Sequence, residues 1–487
     1  MQSNASSTRS RITPGWIRTI GPLVAGMSLA GALLLCARTC VAQSGPELDP
    51  YRRGIELAES QGRYREAISE FKEAMRLRRP FPEAAFSLGQ CYGSLRDYEA
   101  AARHFRMAAE TSPGAGLAMR AELAVAEMMI LGDRYADAAT TLRRVATLAA
   151  REPRFHELLG DAHAMLGQTD IAIRDYGRVL ELTPDSVLGH RGLARCLMRS
   201  GDLRSAAEHA ELAIARDPFC SGMFYVLALS LVRQGDQERA EMATRAFQTL
   251  RAYEAEVEDI ENALRQSPMD AKRLFRLADR HAVEGNVKDA LAVYERLVAL
   301  RLRQPAALTN IGLIHLGTGA VSEARDAFRR AIVHEPTLPE AHTGLLRALT
   351  LLDDREGIAE AVVAWTTADP GSSAAWAERG RLRYRGGDLD AAIRALERSV
   401  VLGPDELDAA NDLAWMYAER GVQLDRALEL ITDVVERRPS GTAYDTLAYV
   451  YERRREMSKA LDALERAGRI EPEYPDHRAR LDKLRSR

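Results

Sequence analysis

Residues 305–336 read PAALTNIGLIHLGTGAVSEARDAFRRAIVHEP, and their spacing decides the fold. Between Pro305 and Pro336 stand Ile311-Gly312, His315, Ala324, Phe328 and Ala331. The pattern recurs along the chain. Between Pro82 and Pro113 it reads Leu88-Gly89, Tyr92, Ala101, Phe105 and Ala108, and between Gly441 and Pro472 it reads Tyr444, Leu447-Ala448, Tyr451, Ala460, Leu464 and Ala467. Alanines at 67, 101, 138, 172, 206, 240, 290, 324, 392, 427 and 460 form a ladder whose commonest step is 34 residues, with Ile358 in the one gap. A fixed period of about 20 to 50 residues marks a stack of like units, each burying its apolar face on its neighbours. Such a chain is a solenoid, which spreads side chains over an extended concave surface.

The composition of each unit resembles the tetratricopeptide repeat, with about twelve copies from Asp49 to Pro472. The resemblance implies an all-α, right-handed superhelix of helix-turn-helix repeats and a role in binding other proteins. The residues carry a physical account of their own. The small residue on the first helix (Gly89, Gly160, Gly312, Gly380) allows the second to cross closely, and the ladder alanine is the other half of that contact. Large residues four positions on (Phe71, Phe105, Tyr176, Tyr294, Phe328) fill the space towards the next unit. Prolines 184, 218, 336, 370, 404, 439 and 472 end second helices, because proline has no N–H to continue one. Glycines 167, 201, 235, 285, 387 and 421 turn the chain, and Asp202, Asp236 and Asp388 are natural N-caps.

Departures from the period locate irregularities. The step from Ala101 to Ala138 is 37, and Ile358, Val362 and Trp365 replace the usual small and aromatic set in the ninth unit. The step from Ala240 to Ala290 is 50, and no Gly or Pro occurs from Asp236 to Ser267. One helix over 236–267 would be roughly 48 Å long at 1.5 Å per residue. Its stripe of Ala243, Phe247, Leu250, Tyr253, Val257, Ile260 and Leu264 keeps a helical spacing, and packing on the chain's own next unit is the expected use. Phe247, Leu250, Val257 and Leu264 would otherwise offer a second interface to another chain. The expected organisation is an array of about six repeats over 43–265 closing in this helix, a second of about six over 266–472, and a capping helix over 473–487.

Arg9, Arg11 and Arg18 precede an uncharged stretch from Ile20 to Ala37, and Cys40-Val41-Ala42 follows with small residues at the positions a signal peptidase reads. Residues 1–42 are therefore expected to be a signal peptide, leaving the protein secreted or periplasmic. Retention as an anchor through residues 19–37 is the alternative, although 18 residues interrupted by Pro22 fall short of the roughly 20 apolar residues a span needs. Those 42 residues hold four Arg and no acid, so the remainder carries 63 basic and 70 acidic residues, which implies no polybasic surface. Five of the 67 basic residues are Lys, an Arg-rich bias that suggests a GC-rich bacterial genome. Cys91, Cys196 and Cys220 then remain, an odd number at slots suited to small buried hydrophobes.

The sequence offers no catalytic constellation. His156-Glu157 would need a histidine at 160, where Gly160 stands, to make a zinc-protease helix, and His163, His281 and His315 occupy slots where other units carry Tyr92 or Tyr451. There is no phosphate-binding glycine loop, no Cys-His metal spacing and no nucleophile elbow. The expectation is a non-enzymatic scaffold without cofactor or metal, binding a protein or extended peptide in its groove. An assembly factor for a pilus or polysaccharide secretion machinery is the rival reading. A helical-repeat nucleic-acid binder is the third, opposed by the acidic charge. In the resembled units the inner wall belongs to the first helix, and reading one slot at 34-residue intervals gives Asp279, Leu313, Arg347, Arg381, Trp415 and Tyr449. Arg191, Arg195 and Arg199 form a stripe on one helix, with Tyr225 the equivalent of Arg191 in the next unit. The candidate groove residues are Arg191, Arg195, Tyr225, Arg347, Arg381, Trp415 and Tyr449, and they favour a partner segment bearing carboxylates and an aromatic or apolar anchor.

Overall fold

The structure, a computed structural model, describes residues 47–471 together with Arg480, Leu481, Leu484 and Arg485. The expected signal segment 1–42 lies outside the described residues. The 24 helices of the described chain fall into twelve consecutive pairs, with no strand among the described residues, so the fold is an all-α solenoid. The chain divides into two compact units after Leu302. That differs from the expected division at 265.

The first unit contains seven pairs: α1 (Leu48–Glu59) and α2 (Tyr64–Leu77), α3 (Pro82–Ser94) and α4 (Tyr98–Thr111), α5 (Ala115–Leu131) and α6 (Tyr135–Ala149), α7 (Pro153–Met165) and α8 (Thr169–Leu182), α9 (Val187–Ser200) and α10 (Leu203–Arg216), α11 (Ser221–Gln234) and α12 (Gln237–Gln266), α13 (Ala271–Val283) and α14 (Val287–Ala299). The second contains five: α15 (Gln304–Gly317) and α16 (Val321–His334), α17 (Pro339–Leu351) and α18 (Arg355–Ala368), α19 (Ser373–Arg385) and α20 (Leu389–Leu402), α21 (Leu407–Arg420) and α22 (Leu424–Arg437), α23 (Gly441–Arg453) and α24 (Met457–Ile470).

The ladder alanines lie in the second helices, and Ala67, Ala101, Ala138, Ala172, Ala206, Ala324, Ala392, Ala427 and Ala460 are completely buried. The large residue one turn later is held between two first helices. A methyl on Gly160 or Gly192 would come within 2.8 Å or 2.3 Å of the Tyr176 ring, and one on Gly312 or Gly344 within 2.7 Å or 2.4 Å of Phe328. Glycine therefore stands where two helices approach one ring from opposite sides, which links each unit to the next through a single side chain. The expected caps form, with Asp202, Asp236 and Asp388 accepting from the backbone N–H groups of Ser205, Arg239 and Ala391. Gly201 turns the chain with φ +93°, and where the equivalent position is Arg96 the backbone still adopts φ +61°.

The irregular regions follow their sequences. The three-residue insertion lengthens α5 to 17 residues. The glycine-free stretch forms α12, one helix of 30 residues capped by Asp236. In the ninth pair Trp365, in the slot that Ala331 fills one unit earlier, is buried with its ring stacked on His342 at 4.8 Å, while Val362 stands in the aromatic slot.

The α12 stripe is covered by the chain itself. Ala243, Leu250, Tyr253, Val257, Ile260 and Leu264 are buried. The Tyr253 hydroxyl lies within hydrogen-bond distance of His281 Nδ1, at 2.6 Å, and Glu256 accepts from Arg276 and Arg280 of α13 at 2.6 and 2.9 Å. Phe247 is half-buried against Tyr225, 5.4 Å between ring centres. The idea of a second interface on Phe247, Leu250, Val257 and Leu264 is corrected accordingly, because three of these side chains have no surface left to offer.

Candidate functional site

The first unit closes upon itself. Arg296 of α14 donates from Nε to the carbonyl of Gln61 at 3.0 Å and from Nη2 to the carbonyl of Pro268 at 2.8 Å. One guanidinium thus joins the turn after α1 to the seventh pair, 235 residues away in sequence. Gly62 makes room for it, since a methyl there would sit 2.6 Å from the guanidinium carbon. Arg96 in the turn before α4 reinforces the seam through Glu258 of α12 at 3.5 Å. The extended C-terminal half of α12 therefore meets the turn of the second pair, within the compact unit that runs to Leu302. A cleft of about 490 Å³ lies at this seam, lined among others by Tyr64, Arg96, Glu261, Arg265 and Arg296. Burial lowers the Arg296 and Arg265 pKa values and raises those of Glu261 and Tyr64, so the cleft holds both signs of charge against a desolvation cost.

The expected groove residues of this unit are already engaged. Arg195 on α9 reaches Asp161 Oδ1 at 3.5 Å, and Tyr176 donates to the same oxygen at 2.6 Å. Asp161 and Arg195 are 34 residues apart, so neighbouring slots of the inner row satisfy one another. Arg199 donates to the Ala164 carbonyl at 2.6 Å. Arg191 is half-buried on the same helix beside Cys220, and Tyr225 rests against Phe247. Asp279 accepts from Tyr294.

In the second unit Arg347 and Leu313 are exposed. Arg381 on α19 is held between Asp412 of α21, at 2.8 Å, and Glu378, at 2.5 Å. Its positive charge is answered within the row, which raises its pKa against the opposing effect of burial. Trp415 and Tyr449 come together, 4.5 Å between ring centres at 38°. Upstream of them, Tyr384 donates to Glu419 at 2.7 Å. What meets these rings comes from outside the repeat period. The guanidinium carbon of Arg480 stands 5.0 Å from the Tyr449 ring centre and 5.7 Å from that of Trp415. Its nitrogens donate to Asp445 at 2.9 Å and Glu452 at 3.4 Å. Asp445, Ala448, Tyr449 and Glu452 lie on one face of α23 by their i, i+3, i+4, i+7 spacing, which was readable, but nothing in the period pointed to Arg480.

Histidine and cysteine are structural in their surroundings. His281 is buried, and His163 Nδ1 lies 2.6 Å from Asp175. Cys91, Cys196 and Cys220 are buried free thiols, and burial pushes the Cys91 pKa up to about 12. Among the described residues no group of three or more His, Cys, Asp or Glu is placed to hold a metal ion, and no helix is long and apolar enough to cross a membrane.

Helix pairs linked ring to glycine, with a row of inner first-helix residues instead of a converged pocket, define a helical-repeat protein whose exposed chemistry is that of recognition. A model of the tetratricopeptide repeat matches residues 54–116, 131–187, 166–219, 191–257, 275–339 and 377–422, more than half of the chain, and the chain belongs to that family. Repeats of this kind typically serve as non-catalytic scaffolds for protein–protein interaction. No curated protein matches the chain in sequence. Among solved structures it is similar to MamA, residue 41 to the end, from Desulfovibrio magneticus RS-1, with 24% identity over 36% of this chain and 96% of that one, TM-score 0.32. It is similar to a thermophilic tetratricopeptide repeat protein of Thermus thermophilus, TTC0263, at 21% identity over 38% and 99%, TM-score 0.32. The anaphase-promoting-complex hetero-tetramer Cut9–Hcn1 is similar over 94% of this chain and 92% of that one at 14% identity, TM-score 0.34.

Proposed function

We propose that the chain is a non-enzymatic scaffold of the cell envelope that holds a segment of a partner protein on the first-helix row of its second unit. The observation that carries this is the pair Trp415 and Tyr449, two large rings brought together on first helices of the unit that also carries exposed Arg347 and the Tyr384–Glu419 pair. Aromatic and arginine side chains contribute most of the energy of protein interfaces, and a row of first helices presents them at a regular spacing. The envelope placement rests on Arg9, Arg11, Arg18 and the uncharged stretch that follows them, with the chain starting at Gln43 after cleavage.

The test is photo-crosslinking in cells with the full-length gene. A photoreactive residue at Arg347 or Tyr384 should capture a distinct partner, and one at exposed Arg330 on second helix α16 should not. Trp415→Ala should weaken that capture by about 2 kcal/mol or more in the measured affinity. Equal capture from Arg330 and Arg347, undiminished by Trp415→Ala, would remove the inner row as the binding surface. N-terminal sequencing of the recovered protein that finds Met1 in place would remove the secreted form.

A further inference from the structure

Of the guanidinium groups held by carboxylates, Arg195, Arg381 and Arg480 are not alike. Arg195 and Arg381 belong to the repeats, and their partners Asp161, Glu378 and Asp412 are repeat residues as well. Arg480 comes from beyond the last pair. It is also the most completely recognised, with two ring faces from Trp415 and Tyr449 and two carboxylates from Asp445 and Glu452. The side chains of Arg480, Asp445 and Glu452 retain only 20%, 22% and 22% of their surface, so the ion pairs are largely withdrawn from water. The residues around Arg480 perform a separate task. Leu484 is buried against Ala448, Ala463 and Leu464, and Leu481 packs beside it, which covers the apolar end of the stack. Leucines alone would serve as that cover, since a terminal repeat needs only an apolar contact beneath and a polar face above. An apolar cover does not require a guanidinium, yet Arg480 is met by a surface complementary in charge, in planarity and in ring stacking.

We propose that Trp415, Tyr449, Asp445 and Glu452 form an arginine-reading site. Its occupant in trans is a partner segment presenting an arginine and, one helical turn later, a leucine. Arg480 and Leu484 of the chain's own C-terminal segment are the resident stand-in. This rests on the scaffold reading above and names the chemistry of its ligand. It also reverses the polarity expected from the sequence, because Arg381 of the row is already neutralised by Glu378 and Asp412 while its aromatic end accepts a cation. The segment in cis acts at high effective concentration, so a partner engages only when it outcompetes an intramolecular ligand.

The probe is a synthetic peptide of residues 473–487, EYPDHRARLDKLRSR, titrated against the full-length protein. With Arg480→Ala in the protein the resident ligand is weakened, and the peptide should bind at least tenfold more tightly than to the unaltered protein. Adding Trp415→Ala, or replacing the arginine in the peptide by Gln (R480Q), should each lose at least tenfold. If Arg480→Ala disturbs the last pair by circular dichroism, Arg480→Lys takes its place, keeping the charge and stem while losing the fork, and should still raise peptide binding severalfold. Equal binding to altered and unaltered protein, indifference to the peptide's arginine, or a dimer formed by exchange of C-terminal segments would each overturn the proposal. Should the peptide fail while crosslinks from Arg347 persist, only the arginine chemistry falls. Loss of the Trp415-dependent crosslinks would be the failure of the scaffold reading itself.

Discussion

The two units are built from the same 34-residue period and end differently. In the first, Arg296 returns to the Gln61 carbonyl and seven pairs close into one body. In the second, five pairs end with Arg480 and Leu484 of the C-terminal segment laid on the last of them. A linear repeat array has only nearest-neighbour interfaces, so its stability is a sum of local contributions. A closed one has a further interface that couples its two ends. The first unit spends its inner charges on itself, whereas the second leaves Arg347 exposed and gathers its rings at one end. Closure is confined to one of two stretches of one repeating sequence.

The largest effects should come from the rings that join pairs. Phe328→Ala removes a completely buried ring lodged between Gly312 and Gly344 and should cost about 3–5 kcal/mol. Hydrogen exchange should show the loosening confined to α15–α18. Phe105→Ala in the closed unit should cost a similar amount, about 3–5 kcal/mol, yet reach the seam as well. Loosening that stays within α3–α6 would argue that closure does not couple the first unit.

Arg154→Ala comes next. Arg154 lies between Glu127 at 2.7 Å and Glu157 at 3.1 Å, both carboxylates largely buried. Removing it leaves two unpaired acids and should cost about 3–5 kcal/mol at neutral pH. Burial already raises the Glu157 pKa, so part of that loss should be recovered on mild acidification as the acid takes up its proton.

Acid should also separate the units. Burial lowers the pKa of His104, His190, His209 and His281 in the first unit and of His342 in the second. His190 and His209 face each other Nδ1 to Nδ1 at 2.9 Å, a contact that needs one ring to donate and the other to accept. Because these folded-state values lie below the ordinary histidine value of about 6.5, the unfolded chain binds protons first as the pH falls. The histidines' contribution is whole above about pH 6.5 and diminishes as the pH falls towards the folded values. Thermal melts from pH 7 to 5 should show the first unit losing more stability than the second. A larger loss in the second would contradict the assignment.

The smallest effect is expected at the surface. Arg420 pairs with Asp390 at 3.0 Å with both side chains more than half exposed. Arg420→Ala should therefore change stability by no more than about 0.5–1 kcal/mol, as a denaturant titration would show.

Much of the fold was legible. The alanine ladder placed the second helices, Asp202, Asp236 and Asp388 marked their caps, and the absence of Gly and Pro before Ser267 announced α12. These are local signals, fixed within one or two turns of chain. The seam of the first unit was not legible, because Arg296 on Gln61 joins residues 235 positions apart in sequence. The row of the proposed binding surface could be read as a register of positions. Its chemistry could not, because whether Arg381 is available depends on Asp412 one pair away, and Trp415 meets Arg480 only once the chain's end is in place.

Closure of the first unit against an open second one is tested most directly by amide hydrogen exchange on Arg296→Met, which keeps the apolar stem and removes the bonds to Gln61 and Pro268. The closed-unit account predicts faster exchange at both ends of the first unit, over α1–α3 and over α12–α14, with α15–α24 unchanged. Faster exchange limited to α13 and α14, with α1–α3 as protected as before, would mean that the first unit is an ordinary linear stack and the contrast between the two units does not hold.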